Sequence, residues 1–69
     1  KESYVRKAIL EALRLRYEAE IAEADATANI FLSSSVGIGE HPQHIDEVDK
    51  QMKRIASAKE KMNILEEFE

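Results

Sequence analysis

Apolar residues recur every three or four positions through most of the chain, with one interruption near its middle. In the first half the row Leu10, Leu13, Tyr17, Ile21, Ala24, Ala28, Phe31 keeps this step, which gathers side chains on one face of an α-helix. In the second half the row reads Ile45, Val48, Met52, Ile55, Ala58, Met62, Leu65, Phe68. Its first four members follow a heptad seam before Lys59 and Glu66 interrupt the register. The periodicity predicts helices over about 3–33 and about 42–68, each a rod of roughly 40–45 Å at 1.5 Å rise per residue. A second apolar row, Val5, Ile9, Ala12, Leu15, Ala19 and Ala22, widens the face of the first helix beyond a two-stranded seam. Ala22, Ala24, Ala26 and Ala28 are small enough to admit another backbone at close range.

Both glycines and the only proline fall between Gly37 and Pro42. The serines at 33–35 compete for the backbone of the first helix, and the glycines permit the sharp reversal that follows. Pro42 suits the first turn of a second helix, and Asp46, Glu47 and Asp49 complement its positive end. A loop over about 34–41 results, with Val36 and Ile38 expected to fold back over the end of the helices.

Charge order agrees with a reversal near residue 38. Glu20, Glu23 and Asp25 then lie level with Lys50, Lys53 and Arg54, Arg14 and Arg16 with Glu60, and Arg6 and Lys7 with Glu66, Glu67 and Glu69. Exposed pairs contribute only ~0.2–1 kcal/mol each, so the pattern speaks to register more than to stability.

Composition turns the hairpin into an assembly. A chain of 69 residues without cysteine has no disulfide or thiolate metal site to reinforce it. A chain this short buries only ~60% of its unfolded surface. Two helices alone form one thin layer, and the widened stripes call for burial on more than one side. The expected fold is therefore all-α: a helical hairpin of one domain, 1–69, assembling into a four-helix bundle as a homodimer or higher homo-oligomer. The predicted oligomer interface is Leu10, Leu13, Tyr17, Ile21, Ala24, Ala28, Phe31, Ile45, Val48, Met52, Ile55, Met62 and Leu65.

Several classes fall away. No apolar run approaches the ~20 residues that span a bilayer, and no signal peptide is recognisable, so no membrane association and a cytoplasmic location are expected. A net charge of −4 and a pI near 5.2 argue against nucleic-acid binding, which needs clustered Lys and Arg. The run Glu18, Glu20, Glu23, Asp25 lacks the Glu-x-x-His spacing of di-iron bundles and reads as a charge-paired surface. His41 and His44, with Glu40 beside them, could hold a divalent ion across a dimer axis, though a surface or capping role is the simpler reading. No serine sits in a nucleophile motif, and Gly37-Ile38-Gly39 follows a helix where a dinucleotide fingerprint needs a strand. Tyr4, Tyr17, Phe31, Phe68 and both methionines read as packing residues. No catalytic residue and no cofactor are expected, and the chain reads as non-enzymatic.

The segment Val36-Gly37-Ile38-Gly39-Glu40-His41-Pro42, followed by Ile45-Asp46-Glu47-Val48-Asp49, resembles small uncharacterised helical-hairpin proteins of marine T4-like phages of cyanophage type. The resemblance centres on the loop. It implies a phage product in the host cytoplasm and carries no activity. It makes Gly37, Gly39, Glu40, His41 and Pro42 candidates for contact with an unidentified protein partner. The expectation is a self-associating structural or interaction module, with a small metal-binding protein as the alternative.

Overall fold

The computed structural model describes residues 3–33 and 41–69. They form two helices, α1 over Tyr4–Ser33 and α2 over His41–Glu66, with no strand among the described residues. Neither helix contains glycine, and the one proline lies in the first turn of α2, where its missing N–H has no helical partner to lose. Ser3 caps α1: its hydroxyl accepts from the Arg6 N–H at 3.2 Å, and its carbonyl takes the Lys7 N–H at 3.1 Å. After α2 the last residues tighten into i→i+3 turns, in which Glu67, Phe68 and Glu69 donate to the carbonyls of Ile64, Leu65 and Glu66.

The helices run antiparallel. Phe31 meets His44, Arg54 meets Glu20 and Glu23, Lys61 meets Tyr17, and Arg6 reaches the Phe68 carbonyl. Each of these lies within two residues of the level set by a reversal near residue 38. The Cα trace measures 60 × 14 × 12 Å, a rod one helix thick. Such a shape encloses no core, and among the described residues only Ala24, Ala28, Ala58 and Leu65 are buried apolar residues. Three of the four are alanines, so the seam is a place where backbones approach rather than where large side chains interlock.

On α1 the predicted row is the row that faces α2. Leu10, Leu13, Tyr17, Ile21 and Phe31 are half-buried, and Ala24 and Ala28 fully buried. On α2, Val48, Ile55 and Met62 are half-buried and Leu65 is buried, but Ile45 and Met52 are exposed at 67% and 48%. The seam passes one residue earlier at both places, through half-buried His44 and through Gln51, which is only 5% exposed. With these two residues α2 presents His44, Val48, Gln51, Ile55, Ala58, Met62, Leu65, an unbroken alternation of four- and three-residue steps. Geometry of the pairing therefore overrides side-chain hydrophobicity at residues 45 and 52.

Val5, Ile9, Ala12, Leu15, Ala19 and Ala22 do not widen the face that meets α2. All six are exposed. At 100° per residue their row lies on the far side of α1, roughly 150° round from the seam.

Candidate interaction surface

Of the loop candidates, Gly37, Gly39 and Glu40 lie outside the described residues, as do the side chains of His41 and Pro42. His44 sets its ring edge against Phe31, with centroids 5.4 Å apart and planes at 64°. It thereby packs against the C-terminal turn of α1, an edge-to-face contact favoured by the quadrupoles of the two rings. Among the described residues no group of three His, Asp or Glu side chains is placed to hold a metal ion.

The acidic run of α1 is occupied by pairing. Arg14 is gripped from both sides along its own helix, Nη2 to Glu11 Oε2 at 2.6 Å and Nη1 to Glu18 Oε2 at 2.7 Å. Its pKa is raised, first by the hydrogen bond to Glu11 and then by the charges of Glu11 and Glu18. Asp25 accepts from Asn29, which also donates to the Asp25 carbonyl at 3.0 Å. Glu20 and Glu23 turn instead to α2, where Arg54 Nη2 bonds Glu20 at 3.3 Å and also contacts Glu23. Hydrogen bonding to Glu23 is the leading cause of the raised Arg54 pKa, so the guanidinium stays charged. The other arm of Arg54, Nη1, donates to Gln51 Oε1 at 3.0 Å. Gln51, Arg54, Glu20 and Glu23 thus form one polar crosslink between the helices, and among the described residues no buried side-chain polar atom lacks a partner.

Tyr17 marks the boundary of a second feature. Lys61 Nζ lies 5.6 Å from the centre of its ring, a cation–π distance. Beyond it Leu10, Leu13, Ile64, Leu65 and Phe68 line a shallow apolar groove of about 250 Å³ at the end where α1 begins and α2 ends.

The largest unmet demand is on α1. Val5, Ile9, Leu15 and Ile30 are exposed at 63%, 54%, 51% and 67%. Between them Ala8, Ala12, Ala19, Ala22 and Ala26 are all exposed. From Val5 to Ala26 the row advances 5, 8, 12, 15, 19, 22, 26, the same alternation of three and four that builds the intramolecular seam. A helix with heptad rows on two opposite faces has places for two neighbours, and α2 fills one.

Sequence reasoning placed Arg54 level with Glu20 and Glu23 but missed Gln51 and the opposition of the two α1 faces. For the last a signal was present: the two rows of α1 advance in parallel without converging, and assigning each residue an angle separates them. No family model, curated protein or solved structure matches the chain.

Proposed function

We propose that the chain is a non-enzymatic interaction module, a helical hairpin that self-associates as a homodimer of four helices. One observation carries the reading. Among the described residues the hairpin is a single layer with four buried apolar residues, while ten large hydrophobic side chains stay exposed, four of them along the outside of α1. Water contact along that row is unfavourable by ~25 cal/mol per Å² of apolar surface, and a second copy removes it. No described helix is long and apolar enough to cross a membrane, so a bilayer-spanning role does not account for the exposed side chains. The same reading sets the protein in the cytoplasm, that of a host cell if the likeness of its loop to marine phage proteins is one of descent. The loop would then be the part presented to a further protein.

Sedimentation velocity over a range of micromolar concentrations tests the proposal, with far-UV circular dichroism followed in parallel. Self-association with a two-chain mass is expected. A helical, cooperatively melting monomer throughout that range would overturn it.

A further inference from the structure

We propose that the partner on the outer face of α1 is the α1 helix of a second copy, lying antiparallel about a two-fold axis that passes beside Ala19. The inference rests on self-association and adds which face, which direction and which register.

Three features select this arrangement. The first is shape. Leu15 is the one large residue in the middle of the row, which begins at Val5 and otherwise holds Ala8, Ala12, Ala19, Ala22 and Ala26. Side by side and parallel, the two copies of Leu15 would meet and hold the alanines on either side apart. Antiparallel, with the two copies of Ala19 level, each Leu15 sits opposite residues 22–23 of the other helix. It enters the hole formed by Ala19, Ala22, Glu23 and Ala26, the i, i+3, i+4, i+7 set that receives a knob. Ala12 then faces Ala26 of the second copy, so the backbones approach closely along the whole row.

Charge complementarity is the second. On one shoulder of the row stand Ile9, Arg16, Glu23 and Ile30, each seven residues from the next. The antiparallel register brings Arg16 of each copy to Glu23 of the other, twice by symmetry, with Ile9 against Ile30 at the two ends. Among the described residues Arg16 makes no ion pair, and Glu23 contacts Arg54 through Oε1, leaving Oε2 for a second guanidinium. On the other shoulder Glu11 and Glu18 are already tied up by Arg14. A parallel pair would set Glu18 beside Glu23 as well as Glu11 beside Arg16, so its contacts cancel; the antiparallel register sets the two copies of Glu18 near the axis, where each is already neutralised by its own Arg14. The third feature is the macrodipole, which also favours opposite directions.

The strip from Val5 to Ile30 is about 38 Å long at 1.5 Å per residue. Lined mostly by alanine, it is smaller than the ~800 Å² per partner of a standard interface, so micromolar association is expected.

The native chain has no cysteine, which makes single-cysteine variants direct reporters. Under air oxidation Ala19→Cys is expected to form a disulfide-linked dimer. Ala12→Cys alone is not, but mixed with Ala26→Cys it is expected to give the heterodimer. In sedimentation equilibrium Leu15→Glu is expected to weaken association more than tenfold with helicity unchanged, because Leu15 is half exposed in the hairpin. Arg16→Glu is expected to weaken it and the Arg16→Glu/Glu23→Arg double variant to restore it. A dimer of unaltered affinity in Leu15→Glu would overturn the assigned face while leaving self-association standing. Cross-linking of Ala12→Cys with itself as readily as Ala19→Cys would overturn the antiparallel register. A wild-type chain that stays monomeric would overturn self-association and this inference together.

Discussion

Gln51 and Met52 provide the sharpest test of how the hairpin is held, because hydrophobicity and geometry rank them in opposite order. Gln51 is 5% exposed and stands in the seam, whereas Met52 is 48% exposed and stands beside it. Replacing Gln51 with Leu removes one hydrogen bond, to Arg54 at 3.0 Å. The guanidinium keeps Glu20 and Glu23 through Nη2, and the half-exposed side chain leaves Nη1 within reach of water, so the loss is about 0.5–1 kcal/mol. Burial of a leucine side chain contributes about 1.5–3 kcal/mol, and at this open seam the lower half of the range applies. Gln51→Leu should therefore stabilise the hairpin by about 1 kcal/mol, a rise in Tm of roughly 4–8 °C for a domain of this size. Met52→Gln should cost less than about 0.5 kcal/mol, as for other surface substitutions. Urea denaturation followed by circular dichroism, at concentrations below the association midpoint, measures both. If Met52 formed the seam, Met52→Gln would be the damaging change and Gln51→Leu would be silent. That outcome, or a Gln51→Leu variant destabilised by more than about 0.5 kcal/mol, would refute the seam described above.

Other substitutions probe separate parts of the molecule. Ser3→Ala removes the cap of α1 and should cost about 1 kcal/mol by the same denaturation assay. Ala58→Leu inserts a large side chain where the backbones approach, at a residue 2% exposed; a loss of about 1–3 kcal/mol is expected, and an unchanged Tm would show the helices to be further apart. Arg54→Gln breaks the crosslink to Glu20 and Glu23, and the stability difference from wild type should shrink between low and molar salt, since the pairs are only partly shielded from solvent.

The architecture was legible because its determinants are local and repetitive. Breakers gathered between Gly37 and Pro42, helix formers on both sides and a mirrored order of charges suffice for two antiparallel helices in register. The Arg54 pairing with Glu20 and Glu23 follows from that order, whereas Arg14 turned to Glu11 and Glu18 in its own helix, which lie within one turn of it. What the rows of apolar residues do not reveal is how a neighbour treats a polar one. Gln51 occupies a seam position because its amide meets Arg54, and Ile45 and Met52 lie outside because the α2 face that meets α1 is set by Val48, Ile55, Ala58, Met62 and Leu65 together. Counting apolar residues on α1 likewise found both rows but merged two faces into one broad face. The loop residues drew attention through a likeness to other sequences, which locates a segment without supplying its chemistry.

The hydrogen bond from Arg6 Nη2 to the Phe68 carbonyl, 2.7 Å long, fastens the beginning of α1 to the residues just after α2. A chain that enters and leaves at one point is a self-closing stalk. Joined through both ends to a surface turn of another protein, it would project Ser33 and His41, the far ends of the two helices, some 40 Å away without parting the segments on either side, at ~1.5 Å per helical residue. The same closure allows the old ends to be linked and new ones cut between Ser33 and His41. Such a rearranged chain should keep the seam and the outer face of α1 intact, so whatever depends on the loop can be separated from whatever depends on the helices.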